Sequence, residues 1–343
     1  MLANGNANQT TGRLFTTLAR RLSERNQVQL RLRQFPRGVF RKLPALLRTE
    51  LANCQSVLKS DRLIVHSSLS LSFLTMVVAR CTGRPVIAFI WDFYPESSQQ
   101  YGSLRNPLLI LLYRMSERFA YRMCERIFVP SADYARFPAL KGFRGIEVMP
   151  LWPCDPLLEP VRRKPSDRTL RIVFAGQINL IRGLPQSIER LARSWRSQVW
   201  IEIFSTSPPG EELGRAAERC ANLRLVHHGF VPPDELPRRL RNSLFGLVSL
   251  DRSFSLPAFP SKILTYLAAG IPVIYDGPRM PALETALYDA GVGLSLADLT
   301  AFDEDALDTF LAEFPAARNA FIASIGARLE RIEKTIRIPT DRD

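Results

Sequence analysis

Short runs of consecutive apolar residues alternate with longer amphipathic stretches along almost the whole chain. Strands that alternate with helices in this way predict parallel sheets covered by helices on both faces. In the first half we predict a very short strand at 1–4 and further strands at 28–33, 62–67, 85–91, 126–130 and 146–151. The helices predicted between them lie at 12–25, 39–58, 70–80, 107–124 and 132–140.

The same alternation restarts near residue 170. The strands predicted in this half lie at 170–175, 199–204, 223–227, 245–250, 272–275 and 292–296. The helices predicted here lie near 185–195, 210–220, 233–242, 261–269 and 280–289. A last helical pattern covers 306–336, and this segment can pack across both domains.

Between the two halves, the stretch 153–167 is rich in proline and charge and has no regular periodicity, which indicates a linker. The length of 343 residues suits two α/β domains. We therefore expect an α/β protein with two Rossmann-like, doubly wound domains at 1–152 and 169–305. A linker at 153–168 joins them, and a helical tail at 306–343 can pack back on the first domain.

Cysteine usage and hydropathy indicate the compartment. The five cysteines are scattered, contain no CxxC pair, and follow an N-terminus without the apolar core of a signal peptide. These features predict a reducing, cytoplasmic location. The apolar stretch 107–113 is far shorter than the roughly 20 residues that cross a bilayer, so we expect no membrane-spanning segment.

The net charge of +13 is unevenly distributed. Residues 1–60 contain eleven lysines and arginines but only two acidic residues, Glu24 and Glu50. The first domain is therefore expected to have a basic surface. Such a surface can attract nucleic acid, anionic lipid headgroups or a phosphorylated substrate, or it can simply be solvated, and charge alone does not choose among these.

Two loops of the second half suit phosphate, because ligands of open α/β sheets bind beyond the carboxyl ends of the strands. The first loop is 176–183, in which Gly176 lets the backbone approach an anion and Arg182 supplies a charged fork. The second is 259–262, where Ser261 and Lys262 open a short helix whose free N–H groups and dipole favour an anion. Taken singly, each loop can also be an ordinary turn or cap.

The same segments carry a family resemblance. PSKILTYLAAGIPVIYDG (260–277) and IVFAGQINLIRGL (172–184) resemble the donor-site loops of family 4 glycosyltransferases with the GT-B fold. DRLIVHSSLSLSFLTMVVARCTGRPVI (61–87), WDFYPES (91–97) and IEVMPLWPCDP (146–156) resemble first-domain segments of the family, the second of them in its amino-sugar-transferase branch. The motifs occur in the family's order over residues 12 to 297.

The resemblance implies two domains that face each other across a cleft, with a nucleotide-diphosphate sugar in the second and an acceptor in the first. Arg182 and Lys262 would neutralise the departing diphosphate, assisted by Ser261 and by the amides around Gly176. Gln177 stands where many members have arginine, which shifts more of the charge to the two cations. No metal or other cofactor is expected.

Further roles follow from the same resemblance. His66 would face the donor sugar, the plain alternative being a buried histidine. Asp92 and Glu96 lie on the acceptor side, where either can act as a general base if the reaction inverts. Retention is favoured, with Asp92 orienting the acceptor, and both carboxylates can also merely cap the next segment.

A nucleotide-side loop is expected at His228, Gly229 and Phe230. Many members of the family have two glutamates where this chain has Pro257 and Thr265, and the later one grips the nucleotide ribose. This departure leaves the identity of the donor open.

Two other features suggest alternatives. The acidic run 303–305 matches a metal motif of a different transferase fold, but its place before a helical stretch indicates a helix start. The helix at 107–124 has a row of apolar residues with arginines around it, so it is either a core helix or a helix at a membrane interface.

The leading interpretation is a glycosyltransferase that adds a sugar to a lipid-linked saccharide for bacterial exopolysaccharide or lipopolysaccharide. We expect it to be peripheral on the inner face of the plasma membrane, bound through the basic first domain. The alternatives are a nucleotide-sugar epimerase or hydrolase, and a non-catalytic GT-B protein of polysaccharide assembly. Nucleic-acid binding is disfavoured because no helix-turn-helix, zinc-finger or aromatic RNA-binding motif is present.

Overall fold

A computed structural model describes residues 1–4, 10–24, 26–33, 39–160 and 169–336, with side chains except at 4, 33 and 39–46. The chain divides into two compact units. Unit 1 comprises 1–151, 256–259 and 327–343, and unit 2 comprises 152–255 and 260–326.

Unit 1 contains a six-stranded parallel sheet of order β2-β1-β3-β4-β5-β6. Its central strands are fully buried because their four residues are all apolar or, at His66, enclosed by aromatic rings. The strands are β1 Leu2–Asn4, β2 Arg31–Arg33, β3 Leu63–His66, β4 Val86–Phe89, β5 Arg126–Val129 and β6 Ile146–Val148. The helices are α1 Thr10–Ser23, α2 Val39–Val57, α3 Phe73–Cys81, α4 Glu96–Gln100, α5 Pro107–Met123 and α6 Ala132–Ala135.

Unit 2 contains a second six-stranded parallel sheet, of order β12-β11-β10-β7-β8-β9. Its strands are β7 Leu170–Ala175, β8 Val199–Phe204, β9 Leu223–Gly229, β10 Phe245–Ser249, β11 Val273–Asp276 and β12 Gly293–Ser295. Its helices are α7 Leu184–Ser194, α8 Glu211–Arg219, α9 Leu236–Leu240, α10 Lys262–Ala268, α11 Pro281–Tyr288 and α12 Leu296–Ala301. The predicted α/β class and doubly wound sheets are confirmed.

The last helix, α13 Glu304–Ile336, runs for 33 residues and contributes to both units. In unit 2 the buried Arg318 donates to the carbonyl oxygens of Leu267 (2.6 Å) and Leu158 (2.8 Å). In unit 1 Glu333 forms an ion pair with Arg21 at 2.6 Å. The segment 152–160, where the linker was predicted to begin, is thus fastened within unit 2, and 161–168 lie outside the described residues.

Several predicted elements differ from the structure. The helix predicted at 132–140 is interrupted, because Phe137 is extended before Pro138 and only a 3₁₀ turn, Pro138–Leu140, follows. The short helices α4 and α12 were not predicted at all. The start of the predicted helix at 70–80 is a 3₁₀ turn, Leu69–Ser72. No helix in the described ranges has the length and apolar character needed to span a bilayer.

One buried hydroxyl connects the two strands that carry the candidate site. Tyr266 on α10 accepts from the Ala175 amide at 2.9 Å and donates to the Leu247 carbonyl at 3.0 Å. Its ring lies directly over Gly246, where a Cβ would come within 2.3 Å of it. A glycine in β10 therefore permits α10 to pack tightly onto the ends of β7 and β10.

We predict that Tyr266→Phe destabilises the protein by about 1–3 kcal/mol, because the buried Ala175 amide then has no acceptor. Urea unfolding followed by circular dichroism measures the change. Tyr101→Phe is the matched control, since Tyr101 is exposed and should give no loss. Equal stability of both variants would contradict the proposed bridge.

Candidate functional site

The loop after β7 is shaped by two glycines in left-handed or strained backbone. Gly176 has φ +142° and Gly183 has φ +54°. At Gly183 a Cβ would lie 2.9 Å from the Asp251 Cα, so the loop can pack against the segment after β10 only with glycine there. Between them, Asn179 caps a 3₁₀ turn by accepting from the Arg182 amide at 3.2 Å. The turn places Arg182 beside the carboxyl ends of the central strands, and Gln177 is exposed on the same loop.

Lys262, the first residue of α10, projects its ammonium group toward this loop. Nζ lies 3.8 Å from the centroid of the Phe174 ring, and 3.4 Å from where a Cβ at Gly176 would be. Nζ is buried and has no hydrogen-bond partner among the described residues. Burial, and secondarily the charge of Arg182, hold the pKa of Lys262 well below its ordinary value of 10.5. The glycine loop, Arg182 and the unpartnered amine thus converge at the ends of β7 and β10.

A buried amine without an acceptor is costly, and an anion would satisfy it. The geometry around it suits an anion, because Gly176 leaves room for an oxygen where a side chain would meet Nζ. The first turn of α10 contributes less: the amides of Ile263 and Leu264 donate to Pro260 and Ser261 carbonyls. Ser261 precedes the helix, and its side chain forms no capping bond. Charge at this site therefore comes chiefly from the two side chains.

The residues predicted for a nucleotide-side loop are arranged differently. His228 belongs to β9, which runs to Gly229, two residues past its predicted end. Its ring stacks on Phe204 at 4.6 Å, and Nε2 lies 3.2 Å from Glu202 Oε1. Only after Gly229, with φ +71°, does the chain leave the sheet and expose Phe230.

Thr265 lies one helical turn after Lys262. Its hydroxyl donates to Asp155 Oδ2 at 3.0 Å. The side chain at this position therefore fastens α10 to the segment that precedes β7. The acidic partner comes from a residue that no local pattern identified.

In unit 1, the predicted site residues follow the adjacent parallel strands β3 and β4. His66 ends β3 and is buried between the rings of Phe15 (5.2 Å) and Trp91 (4.6 Å). The next residue, Ser67, accepts from the amides of Trp91 (2.8 Å) and Asp92 (3.1 Å). This bond joins the two strand ends and leaves the Asp92 side chain exposed.

The carboxylate of Glu96 is bound by a side chain of α5. Its Oε1 accepts from Arg114 Nε at 2.8 Å, and Arg114 also donates to Gln99. Glu96 is the first residue of α4, whose N-cap is Pro95, so Asp92 does not cap this helix. The two carboxylates therefore have different environments: Asp92 is accessible, and Glu96 forms an ion pair with Arg114.

Sequence reasoning missed a set of hydroxyl groups beside Asp92. Ser68 has φ +59°, and its Oγ lies 2.6 Å from Tyr113 Oη on α5. Tyr94 stacks near Tyr113, and burial, then the charge of Asp92, raise the pKa of Tyr94 above its ordinary value. In the sequence, the only local indication of this cluster was the pair Ser67 and Ser68 directly after His66.

The acidic run at 303–305 forms a helix start. Asp303 Oδ1 accepts from the Ala306 amide at 2.8 Å, and the two acidic residues that follow lie in the first turn of α13. Within the described ranges, no group of three or more potential ligand side chains is placed to hold a metal ion.

No family model and no curated protein matches this chain. Solved structures match it in fold. A sucrose-phosphate synthase from Thermosynechococcus elongatus gives a TM-score of 0.68 at 13% identity and covers 98% of each chain. A lipopolysaccharide outer core galactosyltransferase, WaaB, gives 0.55 at 13% identity and covers 94% of this chain and 98% of its own. A putative UDP-N-acetylglucosamine 2-epimerase from Listeria monocytogenes gives 0.50 at 10% identity, with 96% of each chain covered. The chain therefore has the GT-B fold of glycosyltransferases.

We predict that Lys262→Met raises the free energy of unfolding of the ligand-free protein by roughly 1–2 kcal/mol at neutral pH. The folded-state pKa of Lys262 is lowered by burial, so at a pH between that pKa and 10.5 the unfolded chain binds a proton that the folded chain releases. The stability of the native sequence should therefore rise as pH increases toward 10.5.

Urea unfolding over this pH range measures the effect, and the variant should show a flatter profile. Lys141→Met is the control, because Lys141 is exposed. A profile unchanged by Lys262→Met would mean that the amine is not desolvated in solution.

Proposed function

We propose that this protein is a glycosyltransferase that binds a nucleotide-diphosphate sugar in unit 2 and passes the sugar to a saccharide acceptor bound by unit 1. The observation that carries the proposal is the buried Lys262 amine, which has no hydrogen-bond partner among the described residues and lies beside Gly176. A diphosphate supplies the negative charge and the acceptor oxygens that this amine lacks. The GT-B fold supports the same class of reaction.

In the proposed reaction, Lys262 and Arg182 stabilise the charge that develops on the departing diphosphate. Such preorganised charge acts most strongly where water is excluded, and Lys262 Nζ is buried. Ser261, Gln177 and the Gly176 amide assist as hydrogen-bonding groups. The two cations supply the charge that a metal supplies in other transferases, and no cofactor is proposed.

On the acceptor side, Asp92 is the proposed group that orients the acceptor hydroxyl, since it is accessible at the end of β4. His66 is proposed to contact the donor sugar. Glu96 has a positioning role, because Arg114 engages it. We favour a retaining reaction, which requires no general base.

His228, Gly229 and Phe230 are proposed to line the part of the site that holds the nucleotide. The exposed Phe230 ring is available to contact the nucleobase. Thr265 is proposed to support the site by fixing α10 through Asp155. The acceptor is proposed to be a lipid-linked saccharide of exopolysaccharide or lipopolysaccharide synthesis. This acceptor places the protein at the cytoplasmic face of the membrane, a location supported by the basic first 60 residues.

A nucleotide-sugar epimerase is the second candidate, because a putative enzyme of that kind has a similar fold. An epimerase or hydrolase would consume the donor without any acceptor. A non-catalytic GT-B protein would instead bind nucleotide and form no product from any donor.

We predict that one nucleotide diphosphate among UDP, GDP, ADP and TDP stabilises the protein selectively. A ligand at about 100 times its dissociation constant adds about 2.7 kcal/mol to stability, which a thermal melt detects. Lys262→Met should abolish the shift, although we expect the variant itself to fold. Arg238→Gln is the control, since this exposed arginine lies on α9. A shift that survives in Lys262→Met would place the diphosphate elsewhere.

For turnover, we predict that Lys262→Ala and Arg182→Ala each lower kcat by about 100-fold or more. Asp92→Asn should lower kcat but leave the nucleotide-dependent thermal shift intact, because Asp92 is placed on the acceptor side. Product formation from donor and acceptor is followed by chromatography. Full activity in both cation variants would refute the proposed site.

A further inference from the structure

Unit 1 exposes an unusual amount of apolar surface on three neighbouring helices. Of the sixteen large apolar side chains that are exposed among the described residues, ten lie on α2, α3 and α5. They are Leu47, Leu51, Phe73, Leu74, Leu108, Leu109, Leu111, Leu112, Met115 and Phe119. We call this surface the three-helix face. Isolated exposed leucines are common, but a group of this size on adjoining helices marks an interaction surface.

The three helices are packed together. The rings of Phe73 on α3 and Phe119 on α5 lie 5.6 Å apart. On the other side of α3, the Thr75 amide donates to Glu50 Oε2 of α2 at 3.0 Å. The exposed apolar side chains therefore lie on adjoining helices.

The charge of this face has a single sign. The only acidic residues on the three helices are Glu50 and Glu117, and both are buried. Thr75 donates to Glu50, and Ser70 donates to Glu117. The exposed charged side chains described on these helices are Arg48, Arg80, Arg114, Arg118 and Arg122.

A cationic cavity of about 410 Å³ adjoins the end of α5. Arg118 and Arg122 line it from the helix, and Lys141 and Arg144 line it from the loop before β6. Its acidic lining residue is Glu125. Four cations against one carboxylate favour an anionic group of phosphate size. Arg118 and Arg122 belong both to the cavity and to the three-helix face.

We propose that the three-helix face and this cavity bind an anionic phospholipid bilayer. The apolar side chains of α5 enter the boundary of the acyl chains, and the cavity receives a lipid phosphate. A second copy of the chain fits less well. In a two-fold contact the arginines of one copy would face those of the other, with no exposed carboxylate on this face to balance them.

Helix α5 contacts the loops of the candidate acceptor site through side chains of its inner side and through the exposed Arg114. Tyr113 contacts Ser68, Glu117 accepts from Ser70, and Arg114 binds Glu96. Bilayer docking would thus bring those loops near lipid headgroups. This consequence rests on the proposed function, but the docking itself does not.

Vesicle sedimentation of the full chain, without donor, tests the proposal. We expect binding to vesicles of phosphatidylcholine with phosphatidylglycerol, and weak binding to phosphatidylcholine alone. Arg118→Gln/Arg122→Gln should weaken binding to the anionic vesicles about 30-fold, at about fivefold per charge. Arg238→Gln/Arg239→Gln on α9 is the matched control, with the same loss of charge from exposed positions, and should bind as the native chain does.

The apolar contribution is tested by Leu108→Ser/Leu112→Ser, which should also abolish sedimentation. Leu157→Ser/Leu180→Ser removes two exposed leucines from unit 2 and should not. Melting by circular dichroism confirms that each variant is folded.

The proposal would be overturned by equal losses in variants and controls, by no binding to anionic vesicles, or by a dimer in light scattering that only Leu108→Ser/Leu112→Ser dissociates. Stabilisation by free glycerol phosphate without vesicle binding would indicate a soluble anion as the ligand and would also overturn it. Because no donor is present, sugar transfer can fail while docking succeeds, and the reverse also holds.

Discussion

The arrangement of unit 2 centres on one unsatisfied charge, the buried amine of Lys262. Phe174 provides a ring face 3.8 Å from Nζ, and at Gly176 no side chain occupies the space 3.4 Å from Nζ where a Cβ would lie. The Tyr266 hydroxyl fixes the backbone directly before this glycine. These contacts position the amine but do not neutralise it, which is an expensive arrangement for a folded protein to maintain. Cost of this kind is typical of a site that is completed by its ligand.

Unit 1 depends on a helix that has two different faces. Along its buried side, α5 presents Tyr113 and Glu117 to the loop after β3, and the ring of Tyr121 packs against Phe143. Burial raises the pKa of Glu117, and the hydroxyl and amide of Ser70, which donate to the carboxylate, act in the opposite direction. The helix is therefore anchored by specific polar contacts, not by an apolar stripe. Its leucines consequently face outward, where a bilayer or another molecule can cover them.

The sequence was most informative where a pattern has one structural solution. The strands at 170–175 and 199–204 were predicted to the residue, because each is a short, mostly apolar run with a single charged residue, and runs of this length favour a strand over a helix. Lys262 and Arg182 could be grouped in advance, since loops that follow parallel strands meet at one edge of a sheet. That Nζ would be buried beside a ring could not be predicted, because Phe174 and Lys262 are far apart in sequence.

What could not be predicted depends on contacts between distant residues. The ion pair of Glu96 with Arg114, and the stacking of His228 on Phe204, leave no local pattern in the sequence. The exposure of the α5 leucines was similarly undetermined, since an amphipathic pattern does not specify which phase covers the apolar side.

The positive charge of this protein occurs in two environments, a buried site and an exposed helix surface. Each environment favours a different kind of partner. Lys262 is buried, so its attraction for an anion is little screened by salt, and only a small group that enters the site can reach it. The arginines of α5 are exposed, and each contributes little unless many act together against an extended anionic surface. The net charge of +13 therefore does not describe one basic patch. The proposed diphosphate site and the proposed bilayer-binding face account for two different parts of this charge, and neither proposal requires nucleic acid as a partner.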